Sequence, residues 1–163
     1  MVAAAINREQ VFDWLSEVPD PEIPVLTITD LGIVRDVTID DHITVTLTPT
    51  YIGCPATEVI EQSVVDALHD RGITDVQIRR VLSPPWTTDW ISAEGRDKLR
   101  AYGIAPPAQG ASKHALLNGH LSIACPRCES KNTERVSEFG STACKASYRC
   151  TDCLDPFEYF KCL

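Results

Sequence analysis

The stretch Ile33-Val34-Arg35-Asp36-Val37-Thr38-Ile39-Asp40-Asp41-His42-Ile43-Thr44-Val45-Thr46-Leu47 decides how the first half of this chain folds. Ile33, Val37 and Ile39 share one parity, and Ile43, Val45 and Leu47 share another among threonines. Side chains on a strand alternate between faces, so each run offers one apolar face, and Asp40-Asp41-His42 supplies the turn of a β-hairpin. Downstream, Ala56, Val59, Ile60, Ser63, Val64, Ala67 and Leu68 recur at three and four, predicting a helix that ends near Arg71-Gly72. Val76 and Ile78 alternate with Gln77 and Arg79 as a third strand, and Ser92 is placed to cap a helix running to about Tyr102. Upstream, Asn7-Arg8-Glu9-Gln10 reads as a capping box before Val11, Trp14, Leu15 and Val18, and Pro19-Asp20-Pro21 stops that helix. The expectation is an α+β fold, a small sandwich of a mixed three-stranded sheet with helices.

The 163 residues suffice for one core and a satellite, and 44% hydrophobic content excludes a disordered chain. Residues 103–120, rich in Pro, Ala, Gly and Ser without periodicity, read as a linker between a main domain, 1–102, and a cysteine-rich segment, 121–163. Met1 to Gly110 carries 8 Lys+Arg against 17 Asp+Glu, a charge of -9, whereas Ala111 to Leu163 carries 7 against 6, or +1. An acidic surface repels phosphate backbones, so no nucleic-acid partner is expected. With neither a basic leader nor eighteen consecutive apolar residues, the reading is cytoplasmic, with no membrane association and reduced thiols. No P-loop, G-x-G-x-x-G or G-x-S-x-G occurs.

Cys125-Pro126-Arg127-Cys128 and Cys150-Thr151-Asp152-Cys153 form two C-x2-C knuckles with 21 residues between the inner cysteines. That interval is slightly longer than the roughly 15 to 20 of zinc ribbons. Four thiolates satisfy tetrahedral zinc with no open position, so the site binds and does not catalyse. The sequence thus predicts a C-terminal all-β zinc ribbon with one structural zinc per chain. A rubredoxin-like iron centre is the alternative, because four thiolates also suit iron. Cys144 and Cys162 fall outside the pairs and read as spare ligands, redox-active thiols or buried small apolar residues. His114 and His120 read as linker residues.

Cys54, in Tyr51-Ile52-Gly53-Cys54-Pro55-Ala56, stands directly before the second helix. With Pro55 as first helical residue, Cys54 is the expected N-cap, where free amide hydrogens and the helix dipole favour a thiolate. Gly53 is expected to open space for a close approach. The alternative is a thiol packed under the hairpin. Asp20, Glu22 and Asp30 lie in loops that could approach Cys54, although turn chemistry explains Asp beside Pro or Gly equally well. Trp86 and Trp90, on the stiff Pro84-Pro85 turn, read as packing residues or as partner anchors.

Asp20-Pro21-Glu22-Ile23-Pro24, Asp30-Leu31-Gly32-Ile33-Val34, Thr48-Pro49-Thr50-Tyr51-Ile52-Gly53-Cys54-Pro55 and Pro84-Pro85-Trp86-Thr87 together resemble the SufT-like iron-sulfur cluster assembly family. Phe139-Gly140-Ser141-Thr142 and Cys144-Lys145-Ala146, before the second knuckle, are similar to its PaaD branch, which accompanies the bacterial phenylacetyl-CoA epoxidase. The resemblance implies a non-catalytic accessory role in aerobic phenylacetate degradation, assisting iron-sulfur or iron-centre assembly in the multicomponent monooxygenase. It implies the epoxidase subunits as partners, above all the iron-sulfur reductase or the di-iron oxygenase component. It places the family's reactive cysteine at Cys54, holding a transient iron-sulfur cluster or iron, with Asp20, Glu22 and Asp30 in support. The oligomeric state is left open.

The histidines agree that this chain is not the oxygenase: none has a Glu three residues before it, as di-iron helices require. Two other functions stay in view. One is an electron-transfer component whose ribbon carries iron. The other is a thiol enzyme in which His42 or His69 serves Cys54 as general base.

Overall fold

Val37 faces Val45 and Ile39 faces Ile43 across the antiparallel strands β1 (Val34–Ile39) and β2 (Ile43–Leu47), in a computed structural model that describes residues 6–107 and 122–161. Val34 pairs with Leu47 but Asp36 pairs with Thr46, so Arg35 is an extra residue, a β-bulge. The bulge resets the alternation. Val34 and Val37, three apart, are therefore both buried, and Ile39 at the hairpin end is partly exposed. Simple parity, which groups Ile33, Val37 and Ile39, misses this shift.

The chain then crosses over through α2 (Thr57–His69) to β3 (Val76–Arg80), which pairs parallel with β2. The sheet order is β1-β2-β3, mixed as expected, with β2 central. Parallel neighbours need such a crossover, and α2 presents Ile60, Val64 and Leu68 along one buried stripe. Gly72, in the left-handed region at φ +83, turns the chain out of the helix. α1 (Arg8–Leu15) is capped by Asn7, whose side chain accepts from Gln10 N at 2.8 Å. It packs Val11 and Leu15 toward α2 and β1. Val11, Leu15, Leu26, Ile28, Val45, Val64 and Leu68 are completely buried, and each contributes about 2 kcal/mol of transfer free energy.

These elements make up one compact unit, Met1–Trp86; the second runs from Thr87 to Leu163. In the second, a 3-10 turn (Thr88–Trp90) leads into α3 (Ala93–Tyr102), whose N-cap Ser92 accepts from Gly95 N at 2.9 Å. Gly103, at φ +90, reverses the chain into β4 (Ile104–Ala105). β4 joins β5 (Thr133–Ser137), β6 (Lys145–Cys150) and β7 (Pro156–Phe160) in a sheet of order β4-β7-β6-β5. Ala105, Ile123, Cys125, Cys150, Phe157 and Tyr159 form its core.

Composition places a boundary after residue 102, but α3 and β4 lie in the unit that contains the ribbon. Two paired residues carry no readable period; Ile104 and Ala105 become a strand because Glu158 and Tyr159 offer them partners. His114, His120 and Cys162 lie outside the described residues. Among the described residues no helix is long and apolar enough to cross a membrane.

Candidate functional site

The four knuckle cysteines converge. The Sγ atoms of Cys125, Cys128, Cys150 and Cys153 all lie within 4.8 Å of one another. Cys125 and Cys153 approach to 3.8 Å, and Cys128 and Cys150 to 3.6 Å. Four thiolates on one ion at bonds of about 2.3 Å would stand about 3.8 Å apart, whereas a disulfide needs about 2.05 Å. The donor set therefore fits a single tetrahedral ion closed by protein sulfur.

Both knuckles are built alike. Cys125 N donates to Ser130 O at 2.9 Å and Cys150 N donates to Asp155 O at 3.0 Å, five residues on in each case. The residue after each second cysteine, Glu129 or Leu154, has positive φ, which turns the chain back on itself. Each knuckle's third residue reaches across to the other: Arg127 pairs with Asp155 at 3.0 Å, and Asp152 accepts from the Ser130 hydroxyl. The two loops are thus related by a local pseudo-twofold, which sets the thiols in two facing pairs.

The thiols differ in acidity. The Cys153 backbone N–H, helped by that of Asp152 and opposed by burial, lowers Cys150 to about 7. At Cys128 the Ser130 N–H pulls downward, but the neighbouring thiols and burial prevail and push it up to about 12. Cys153 is also raised: the Asp155 N–H pulls it down but is outweighed by burial and the thiols of Cys150 and Cys125. One thiolate forms readily, and further negative charge beside it requires a cation. Cys144 is buried with its thiol 3.0 Å from Thr142 Oγ1, outside this cluster.

Cys54 is half-buried in the first unit, but it is not the N-cap. α2 starts at Thr57 with Ala56 as cap, and Cys54 closes the preceding turn through its carbonyl, which accepts from Thr57 N at 3.2 Å. Pro55 sits inside that turn because its fixed φ suits a turn as well as a first helical residue. Gly53 has φ +82, and a Cβ there would meet nothing within 4 Å. The glycine is required by backbone conformation, not by a close approach. Cys54 lines a cavity of about 500 Å³ with Pro49, Ile52, Glu58, Arg80 and Leu82 among its walls. Arg80 pairs with Glu61 at 2.8 Å. Glu58 and Arg80 are not singled out by the sequence because they are ordinary charged positions on α2 and β3; Glu58 is a near neighbour of Cys54 in the chain, and the crossover brings Arg80 to the same cavity.

Asp20, Glu22 and Asp30 are absent from that cavity's wall. The Asp20 carboxylate accepts from Glu22 N at 2.9 Å and Ile23 N at 2.8 Å, and Asp30 accepts from Thr27 N at 3.0 Å. Both aspartates are buried and hold turns. Neither His42 nor His69 lines the cavity. Trp86 is buried and packs within the first unit, while Trp90 falls in the second.

A family described as iron-sulfur cluster assembly protein matches residues 8–79, and one described as PaaD zinc beta ribbon domain matches residues 109–161. The chain is 53% identical over 157 residues to a putative 1,2-phenylacetyl-CoA epoxidase component of Escherichia coli strain K12, covering 94% of this chain and 92% of the relative. It is 40% identical over 90 residues to the Fe-S protein maturation auxiliary factor YitW of Bacillus subtilis strain 168, covering 52% of this chain and 85% of that one. A crystal structure of a domain of unknown function, DUF59, from Bacillus anthracis matches with a TM-score of 0.53 at 30% identity, covering 56% of this chain and 90% of that chain. On that likeness, and on the two families that share its length between them, the chain belongs to the PaaD family, which joins an iron-sulfur assembly domain to a zinc β-ribbon.

Proposed function

We propose that this protein is a cytoplasmic maturation factor of the phenylacetyl-CoA ring 1,2-epoxidase system, assisting iron-sulfur or iron-centre assembly in that multicomponent monooxygenase during aerobic phenylacetate degradation. Its clients are the iron-sulfur reductase or the di-iron oxygenase component. One observation carries the reading. The two sulfur sites are opposite in kind: a closed set of four thiols in the ribbon, and a single half-buried thiol on an open cavity in the iron-sulfur assembly unit.

Cys125, Cys128, Cys150 and Cys153 hold one structural zinc, which makes the ribbon a scaffold that recognises the client. Cys54 supplies a thiolate that transiently holds iron or a cluster, or docks with a carrier. A soft metal needs a sulfur ligand with a free approach, and the cavity that Cys54 lines provides that approach. Asp20 and Asp30 shape the loops of this unit and act only through them. No bond to substrate is made or broken, so the protein is not an enzyme in this reading.

The test is Cys54→Ser in cells expressing the epoxidase proteins. The variant keeps its fold and its one zinc per chain, while the purified epoxidase reductase loses most of its cluster content. Full cluster occupancy in that strain sinks the proposal.

A further inference from the structure

We infer that the mouth of the Cys54 cavity is the surface on which a protein partner docks, and that the partner's contact segment combines apolar side chains with Lys or Arg. The inference rests on the maturation reading above. To the client contact assigned to the ribbon it adds a second one, on the first unit.

Ile52 carries the argument. It is 85% exposed, more than any other large hydrophobic residue among those described. It stands in the turn that precedes α2, next to Gly53 at φ +82. Turns are the usual place of Gly, Pro, Asn, Asp and Ser, which bend the chain or bond to its backbone. An isoleucine does neither, and with so little of its surface covered it adds almost nothing to the core. Leu82, two residues beyond β3, is 51% exposed and lines the same cavity. Pro49 and Pro55 extend this apolar rim with backbone that is already stiff. Scattered exposed apolar residues are ordinary, but an apolar cluster with charged neighbours marks a contact surface.

Proximity and charge define the occupant. Two sulfur ligands of one tetrahedral ion stand about 3.8 Å apart. A protein that brings metal to Cys54 or takes it away therefore covers the cavity mouth, and its side chains meet Ile52 and Leu82. The wall also carries Glu58 and Arg80, and Arg80 is already paired with Glu61 at 2.8 Å. Two carboxylates thus accompany one guanidinium, in a unit, Met1–Trp86, that has 5 Lys+Arg against 14 Asp+Glu, a charge of -9. Such a field draws a basic segment in and turns an acidic one away. A free metal ion or a small thiol gains nothing from an exposed isoleucine, whereas a protein surface does.

The experiment titrates the full-length, zinc-loaded protein into the metal-depleted epoxidase reductase and oxygenase components separately, by calorimetry at low and high salt. Saturable binding to one of them is expected, weaker at high salt. Ile52→Glu should lower the affinity about tenfold while zinc content and circular dichroism stay unchanged, because the side chain lies outside the core. Leu82→Ser should act in the same direction, and Glu58→Lys should weaken binding and flatten its salt dependence. Unchanged affinity for Ile52→Glu, or no saturable binding to either component, overturns the docking surface whatever the client's cluster content. Tighter binding at high salt, or by Glu58→Lys, overturns the basic partner. Self-association that Ile52→Glu dissolves assigns the surface to a second copy of this chain and overturns the client. Full cluster content in Cys54→Ser cells, with Ile52→Glu still binding weakly, removes the maturation role and leaves the docking surface standing.

Discussion

The indole Nε1 of Trp86 donates to the carbonyl oxygen of Leu31 at 2.8 Å, and both residues are buried. Fifty-five positions separate them, yet this bond ties the Pro84-Pro85-Trp86 turn to the Asp30-Leu31-Gly32 loop. Trp86→Phe keeps most of the ring and leaves the Leu31 carbonyl buried without this donor, which costs about 1 to 3 kcal/mol. Trp86→Ala adds a cavity and costs about 3 to 5 kcal/mol. Urea denaturation followed by far-UV circular dichroism checks both values; no loss for Trp86→Phe would show that the bond contributes nothing.

Gly53 precedes Cys54 in the left-handed region with open space where a Cβ would stand. Gly53→Ala therefore introduces conformational strain alone, about 1 to 2 kcal/mol. Gly53→Asn should recover part of it, because Asn visits that region more readily. If Ala and Asn destabilise the first unit equally, the strain account of this turn fails.

These features differ in how legible they are in the sequence, for physical reasons. Knuckle cysteines lie on either side of two residues, so local spacing alone brings their thiols together, and all four converge as the sequence implies. α2 begins two residues beyond Pro55, at Thr57, because a proline is compatible with either a turn or a first helical position. Arg35 leaves no local signature of the bulge that turns Val34 inward, since the shift is defined by Thr46 and Leu47 on the partner strand. The buried charge of Arg96 is invisible because a helical Arg in Ala93–Tyr102 reads as surface until Thr88 and Pro107 close over it.

Metal removal should act on one unit. Without an ion the four thiols lose their common partner, and a ribbon this small depends on that bond to fold. Chelation at neutral pH is expected to erase amide protection in β5, β6 and β7 while β1, β2 and β3 keep theirs, as measured by hydrogen exchange. Purified protein should be colourless with one zinc per chain. A coloured iron tetrathiolate would instead favour the electron-transfer reading.

The acidity of the thiols fixes how metal affinity varies with pH. Cys128 at about 12, and Cys153, also raised, carry protons at neutral pH in the metal-free protein and lose them on binding. Cys150, at about 7, is largely ionised at pH 8 and largely protonated at pH 6. Binding at pH 6 thus releases up to one more proton than at pH 8, and affinity falls more steeply with each unit of acidification. Chelator competition across this range reads the slope, and a constant slope contradicts the assignment. Cys150→Ser abolishes binding, whereas Cys144→Ser leaves it intact.

Glu158 organises the loop that precedes β6. Its carboxylate accepts from the Ser141 backbone and hydroxyl and pairs with the buried Lys145 at 3.1 Å. A Cβ on Gly140 would stand 2.5 Å from Glu158 Oε1, so the Phe139-Gly140-Ser141 sequence requires glycine for space. Gly140→Ala must displace the carboxylate, at about 1 to 3 kcal/mol. Burial raises the Glu158 pKa, but the Ser141 donors and Lys145 outweigh it and hold the group below the usual carboxylate value. A pKa depressed in the folded state stabilises above the unfolded value of about 4.3, and that contribution disappears as pH falls through the folded value. Glu158→Gln should therefore flatten the acid limb of ribbon stability below about pH 4.5 while lowering stability at neutral pH. Denaturation of the metal-loaded protein at pH 7 measures the loss, and an unchanged stability there would show that the carboxylate charge is not what holds the loop.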